Sequence, residues 1–312
     1  MFSPQEQFRE IQYADNPVNL LEERTMSFGS DVPTSQADAF SLRKVANLLP
    51  EYVPPPAGKF DPNGHWQQTY TMFLMEGSLA KKVGDFSLKR DVKGEKAFVL
   101  SVESRRFANS GFSYFERAEL QCRADHLATP TAWICYTKLA QNPGDQAYLQ
   151  SGRRRNMKVA GGTLAIRDTF RVRRSPLIEP YSNEWTLLEA VQRLLGYQTK
   201  QLSYTLVDEY DAPIPGHTLK YQSKQQVTLG NGPAELTAYT DLGPAVIPTT
   251  YWLDKYHRLL FVCTGLQAYV LTATNGQVGH CPDQYTEPSG QRNRRGLKAN
   301  RLLRSAYRDK AL

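Results

Sequence analysis

The chain has 312 residues, 40% of them hydrophobic, and a mean hydropathy of −0.52. That suffices for one large or two small domains with a core of their own. No apolar run approaches the ~20 residues of a membrane-spanning helix. The net charge of +7 comes from residues 288–312 alone, where eight bases face one acid, so residues 1–287 carry 30 bases and 30 acids (38 less eight, 31 less one) and are neutral.

Met1-Phe2-Ser3-Pro4 begins neither a basic nor an apolar segment, so no signal peptide is visible. The expectation is a cytoplasmic chain, or an exported one whose signal is absent. Residues 1–60 are rich in Gln, Asn, Ser and Pro and read as an extended arm. A short helix from Asp38 to Leu48 and a stiff Pro54-Pro55-Pro56 spacer interrupt it.

From residue 61 the pattern changes to short strands separated by turns, predicting a first β region over 61–181. Strands are expected at 66–75, 85–90, 97–102, 112–122, 133–139, 162–166 and 170–172. Phe112, Tyr114, Ala118, Leu120 and Cys122 share one face of an alternating run, while Arg117, Glu119 and Gln121 face away. Glu116 breaks that alternation on the apolar side. The basic runs at 153–155 and 171–174 read as solvated loops and strand ends.

Residues 182–196 carry the clearest helix. Ser182 or Asn183 caps its start, Glu184 complements the dipole, and Gly196 suits its exit. Trp185, Leu187, Leu188, Ala190, Val191, Leu194 and Leu195 sweep a wide apolar arc. Thr186, Glu189 and Arg193 form a narrow polar stripe, with Glu189 and Arg193 as a surface-type i,i+4 pair. An arc that wide predicts cover on more than one side.

A second β region follows over 197–287, with strands expected at 202–207, 217–221, 226–229, 235–240, 249–253, 259–263 and 266–272. A weak echo links 130–134 with 248–253. The fold class expected is α+β and mostly antiparallel, with two arrangements open. One is a curved sheet or half-barrel; the other is two β lobes packed on the central helix. Residues 288–312 form a basic tail in which Ala299, Leu302, Leu303, Ala306 and Tyr307 recur at helical spacing. Arg294, Arg295, Lys298, Arg301, Arg304 and Arg308 make it a candidate for an anionic membrane surface or for nucleic-acid phosphates.

The chemistry-bearing residues are sparse. Five histidines show no HxH or HExxH spacing and four cysteines no CxxC spacing, so no metal or cofactor is expected. Two readings hold for the thiols: buried and free, or a Cys122–Cys135 bridge across a hairpin in an oxidising compartment. The aromatic content, 17 Tyr, 13 Phe and 4 Trp without a catalytic motif, favours a non-enzymatic protein. Such a protein would bind an apolar small molecule or a protein partner, with Trp185, Leu188, Trp133 and Trp252 as the pocket residues.

Two resemblances add expectations. Ile247-Pro248-Thr249-Thr250-Tyr251-Trp252-Leu253-Asp254 with Arg258-Leu259-Leu260 resembles the late hairpin of bacterial cell-envelope β-proteins of the lipoprotein-carrier type. The resemblance covers roughly 15 residues, and neither a signal peptide nor a lipobox cysteine accompanies it. It implies a half-open sheet that binds an apolar ligand. Arg117-Ala118-Glu119-Leu120 resembles a strand of alginate-lyase-like jelly rolls, which implies a carbohydrate groove using Arg117, Glu119, His126 and Tyr136. The other strand motifs of that family are missing here.

Overall fold

The computed structural model describes residues 42–275, apart from 50, 56–58, 77–78, 108–111, 142–150, 169–170, 198–199, 208–212, 231 and 245. The arm before Leu42, Cys281 and the basic tail with Arg294, Arg295, Lys298, Arg301, Arg304 and Arg308 lie outside the described residues.

A short helix α1 (Leu42–Ala46) leads into eight strands: β1 (Trp66–Glu76), β2 (Leu79–Val92), β3 (Ala97–Phe107), β4 (Phe112–Arg123), β5 (Pro130–Gln141), β6 (Ser151–Ala160), β7 (Thr163–Arg167) and β8 (Val172–Pro176). A three-residue strand β9 (Tyr181–Asn183) enters the long helix α2 (Glu184–Tyr197). Then come β10 (Gln201–Val207), β11 (Pro213–Leu229), β12 (Gly232–Leu242), β13 (Thr249–Leu253), β14 (Leu259–Thr264) and β15 (Gln267–Asn275).

All fifteen strands share one sheet, in the order β8-β7-β6-β5-β4-β3-β2-β1-β15-β14-β13-β12-β11-β10-β9. Pairing is antiparallel except between β9 and β10, which α2 connects in parallel. The two β regions read from the sequence therefore join into one sheet through β1 and β15, and the arrangement of two separate lobes is corrected. Within β1–β8 and within β10–β15 the ladder is a meander. A jelly roll needs Greek-key crossings, so the lyase-type architecture is corrected as well.

Chain length forces this sheet to curve. Laid flat, fifteen strands would span about 70 Å. Yet Pro176, at the end of edge strand β8, is five residues from Tyr181, the first residue of the opposite edge β9. Such a link reaches at most about 18 Å. The sheet is therefore rolled, and β9 arrives against the β4–β5 turn rather than against β8. The Tyr181 hydroxyl donates to the Pro130 carbonyl at 2.9 Å, Thr129 Oγ1 to the Tyr181 carbonyl at 3.2 Å, and Ser182 Oγ to the Leu127 carbonyl at 2.8 Å.

Inside the roll, register aligns the core in rows. Trp66, Arg90, Leu100, Leu120, Trp133, Met157 and Ile166 are successive partners across β1 to β7. All are buried, and Arg90 is the one charge among them. The 153–155 run is corrected from loop to the middle of β6. Alternation turns Arg155 and Met157 inward and leaves Arg154 and Lys158 exposed. The two strands expected at 217–221 and 226–229 are one, β11.

Helix α2 is buried nearly all round. Leu187, Val191 and Leu194 are each at most 1% exposed, and the polar stripe is buried too, with Thr186 and Glu189 at 0%. Asn183 is the N-cap: its Oδ1 accepts from the Trp185 N–H at 2.9 Å, while Thr186 Oγ1 accepts from the Asn183 N–H at 3.0 Å. These reciprocal bonds satisfy two groups that a helix start leaves free. Glu189, expected as half of a surface pair, instead bridges two guanidinium groups. Arg90 Nε and Arg193 Nε both donate to its Oε1 at 2.8 Å, and Arg193 Nη2 donates to Oε2 at 2.9 Å. The excess positive charge is met by backbone carbonyls. Arg90 Nη1 donates to those of Asn63 and Gly64, and Arg193 Nη2 to that of Asp125.

Of the two readings of the thiols, the Cys122–Cys135 bridge is corrected: neither cysteine is in a disulfide, and both are buried. Cys135 stands opposite Ala118 and Cys122 opposite Pro130, which places them four residues apart along the ladder, about 13 Å. A disulfide needs Cα atoms within about 7 Å.

Candidate functional site

Between α2 and the inner face of the sheet lies a cavity of about 400 Å³. Its floor follows three adjacent ladder rows. The first carries Phe86, Ser104 and Glu116 across β2, β3 and β4. The second runs from Tyr251 through Val262 and Tyr269 and, by way of Met72 and Gly84, to Arg106. The third joins Asp241, Thr249, Thr264 and Gln267. Glu184, Trp185, Leu187 and Leu188 roof it from the first turns of α2, while Leu206, Val246 and Ile247 complete the wall.

Close backbone approach keeps the second row open to β3. At Gly84 a Cβ would stand 2.1 Å from the Arg105 carbonyl oxygen, so only glycine fits between Met72 and Arg106.

The lining mixes apolar and polar side chains, and the polar groups enter at defined points. Glu116, 4% exposed, is the residue that broke the alternation of β4, and register turns it inward beside Ser104. At the β12–β13 end, Asp241 is held by two donors. The Tyr204 hydroxyl donates to its Oδ1 at 2.6 Å, and His217 Nδ1 lies 3.3 and 3.4 Å from its two oxygens. Because a carboxylate only accepts, that geometry assigns the ring proton to Nδ1. His217 is 0% exposed, its Nε2 has no partner among the described residues, and its ring is packed on Gly243, where a Cβ would meet it at 2.5 Å.

Electrostatics ties this end together. Burial pushes the Tyr251 phenol well above its usual range, and the charges of Asp241 and Glu184 and the neighbouring Tyr269 push it further. Tyr204 is driven far upward by burial, then by Tyr251, Asp241 and Glu184. Both phenols thus stay protonated, as donors. Tyr204 uses its proton on Asp241.

Of the residues read from the sequence as pocket-forming, Trp185 and Leu188 line the cavity. Trp133 and Trp252 do not. Trp133 is 2% exposed, packed between Leu120 and Met157. Trp252 follows Tyr251, and the period of two turns it to the other face of β13.

The alternative catalytic set does not converge on the cavity. Arg117 faces outward and pairs with Glu103 at 3.5 Å, both well exposed, a contact worth under ~1 kcal/mol. Tyr136 stands opposite Arg117 and is 45% exposed, Glu119 is exposed, and His126 is exposed in the β4–β5 turn. Sequence reasoning missed Asp241, Tyr251, Tyr204 and His217, which meet only through the β10–β13 ladders. The one site carboxylate with a sequence signal was Glu116.

No group of His, Cys, Asp and Glu among the described residues has the arrangement of a metal site, and no helix among them is long and apolar enough to cross a membrane. No protein-family model and no curated protein matches the chain. Among solved structures it is similar to a β-barrel-like protein of the domain of unknown function DUF1849 from Brucella abortus. The TM-score is 0.46 at 10% identity, over 68% of this chain and 98% of that one.

Proposed function

We propose that this chain is a non-enzymatic binding protein that holds an apolar ligand between α2 and the inner face of its sheet. The observation that supports it most is the cavity of about 400 Å³ against Trp185 and Leu188, a volume within the usual range of small-molecule sites. The hairpin that resembles lipoprotein-carrier-type envelope proteins, 247–260, supplies Ile247, Thr249 and Tyr251 to that cavity, which suits a cell-envelope role in handling apolar chains.

The neutral fluorescent probe N-phenyl-1-naphthylamine tests this. Titration into the protein is expected to give saturable one-to-one binding. Leu188→Arg, which puts a charged side chain at a half-buried wall position, is expected to weaken it ~10-fold or more, the equivalent of losing about 1.4 kcal/mol of apolar contact. Fluorescence that rises without saturation, or that Leu188→Arg leaves unchanged, contradicts the reading.

A further inference from the structure

The overall neutrality of residues 1–287 hides a segregation of charge. Strands β5 to β8 are adjacent in the sheet, and together they carry eight bases and no acid. Three of the eight are engaged or turned inward. Arg155 is buried on the inner face, Arg173 shares the side of its ladder partner Ile166, and Arg153 Nη2 donates to Asp168 Oδ2 at 2.6 Å. The other five, Lys138, Arg154, Lys158, Arg167 and Arg174, stand on the outer face. None of them has a carboxylate partner among the described residues.

Apolar side chains lie among these cations. One outer row passes from Tyr136 to Arg154, and the next from Ile134 through Asn156 and Arg167 to Val172. A third joins Lys158 to Arg174 by way of Ala165. Tyr136, Ile134 and Val172 are 45%, 41% and 44% exposed. Beyond β5 the balance returns: on β4 Arg117 is paired with Glu103, and Glu119 is exposed.

Like charges one strand or two positions apart repel, and an anionic partner covering the face replaces that repulsion with attraction. The partner must also accept Ile134, Tyr136 and Val172. A bilayer with anionic headgroups does both. Its phosphates take the guanidinium and ammonium groups, while the aliphatic side chains and the phenol ring enter the boundary between headgroups and acyl chains. Single-stranded nucleic acid would satisfy the charges, but it is held by stacking on successive rings, and these rows offer one, Tyr136.

We propose that the outer face of β5 to β8 docks on an anionic phospholipid surface. The proposal does not rest on the ligand cavity, which no residue of β5 to β8 lines.

Co-sedimentation of the full chain with vesicles tests it. Vesicles of equal parts phosphatidylcholine and phosphatidylglycerol are expected to carry the protein down at low salt, and vesicles of phosphatidylcholine alone are not. Arg154→Gln combined with Arg167→Gln is expected to weaken that binding ~10-fold or more, since each base near an anionic surface contributes a factor of about 5. Both side chains are exposed, so the urea midpoint is expected to stay in place. Ile134→Ser is expected to weaken binding ~3-fold through lost apolar contact. Equal sedimentation with both vesicle types, or binding that the double substitution leaves unchanged, overturns the proposal. So does an Ile134→Ser variant that binds as before while oligothymidylate displaces the vesicles, which would make the partner a nucleic acid. Titration with N-phenyl-1-naphthylamine reports the cavity separately, so either idea can fail alone.

Discussion

Glu189 shows how far a residue's meaning depends on what surrounds it. On an isolated helix its i,i+4 pairing with Arg193 contributes a few tenths of a kcal/mol. Here the carboxylate is fully buried between Arg90 of β2 and Arg193, and Phe98 lies 4.3 Å from the Arg90 guanidinium. Removing its charge leaves two buried cations facing each other, so Glu189→Gln is expected to cost ~3–5 kcal/mol in urea unfolding. A loss below ~1 kcal/mol would mean that the cluster is open to water. Spacing revealed the Glu189–Arg193 pair but could not reveal Arg90, which is 99 positions away in the chain. Glu116 is the opposite case. A carboxylate on the apolar side of an alternating strand is visible in the sequence as an exception, and its inward placement gives the exception a physical reason.

At the scale of elements, strands were readable wherever alternation was clean, as in β3 and β4, whose inner positions are buried in turn. β6 was hidden by consecutive arginines, because a buried arginine at an inner position imitates a solvated run. β9 was too short to show any period. The helix was readable from its cap and its arc, though its polar stripe proved to be a second buried face. Asn183 links two of these elements: besides capping α2 it donates from Nδ2 to the Val207 carbonyl of β10 at 2.9 Å. Asn183→Ala removes both bonds and is expected to lower stability by about 1–2 kcal/mol, read as a shift in the urea midpoint. An unchanged midpoint would show that the cap is dispensable to the helix.

For the whole molecule, the governing fact is the short passage from Pro176 to Tyr181 between the two edges of a fifteen-strand sheet. It rolls the sheet, brings β9 onto the β4–β5 turn, and leaves α2 inside with a cavity against its first turns. The wide apolar arc of α2 announced that the helix would be covered on more than one side. Strand pattern left a curved sheet and two lobes equally open, since each strand looks the same whether its sheet is flat or rolled. Trp133 and Trp252, read as pocket residues beside Trp185, miss the cavity for the same reason: register decides which aromatic ring faces the helix. The central claim is that ligand binds beside Trp185. It is tested most directly by ¹⁹F NMR of the chain labelled with 5-fluorotryptophan, with Trp185 assigned through Trp185→Phe, as a neutral decyl detergent is titrated in below its micelle concentration. The account predicts a saturable shift of the Trp185 resonance, with those of Trp66 and Trp133, packed in the outlying core row, unmoved. A stationary Trp185 beside a shifting Trp133 would place the ligand elsewhere and contradict it.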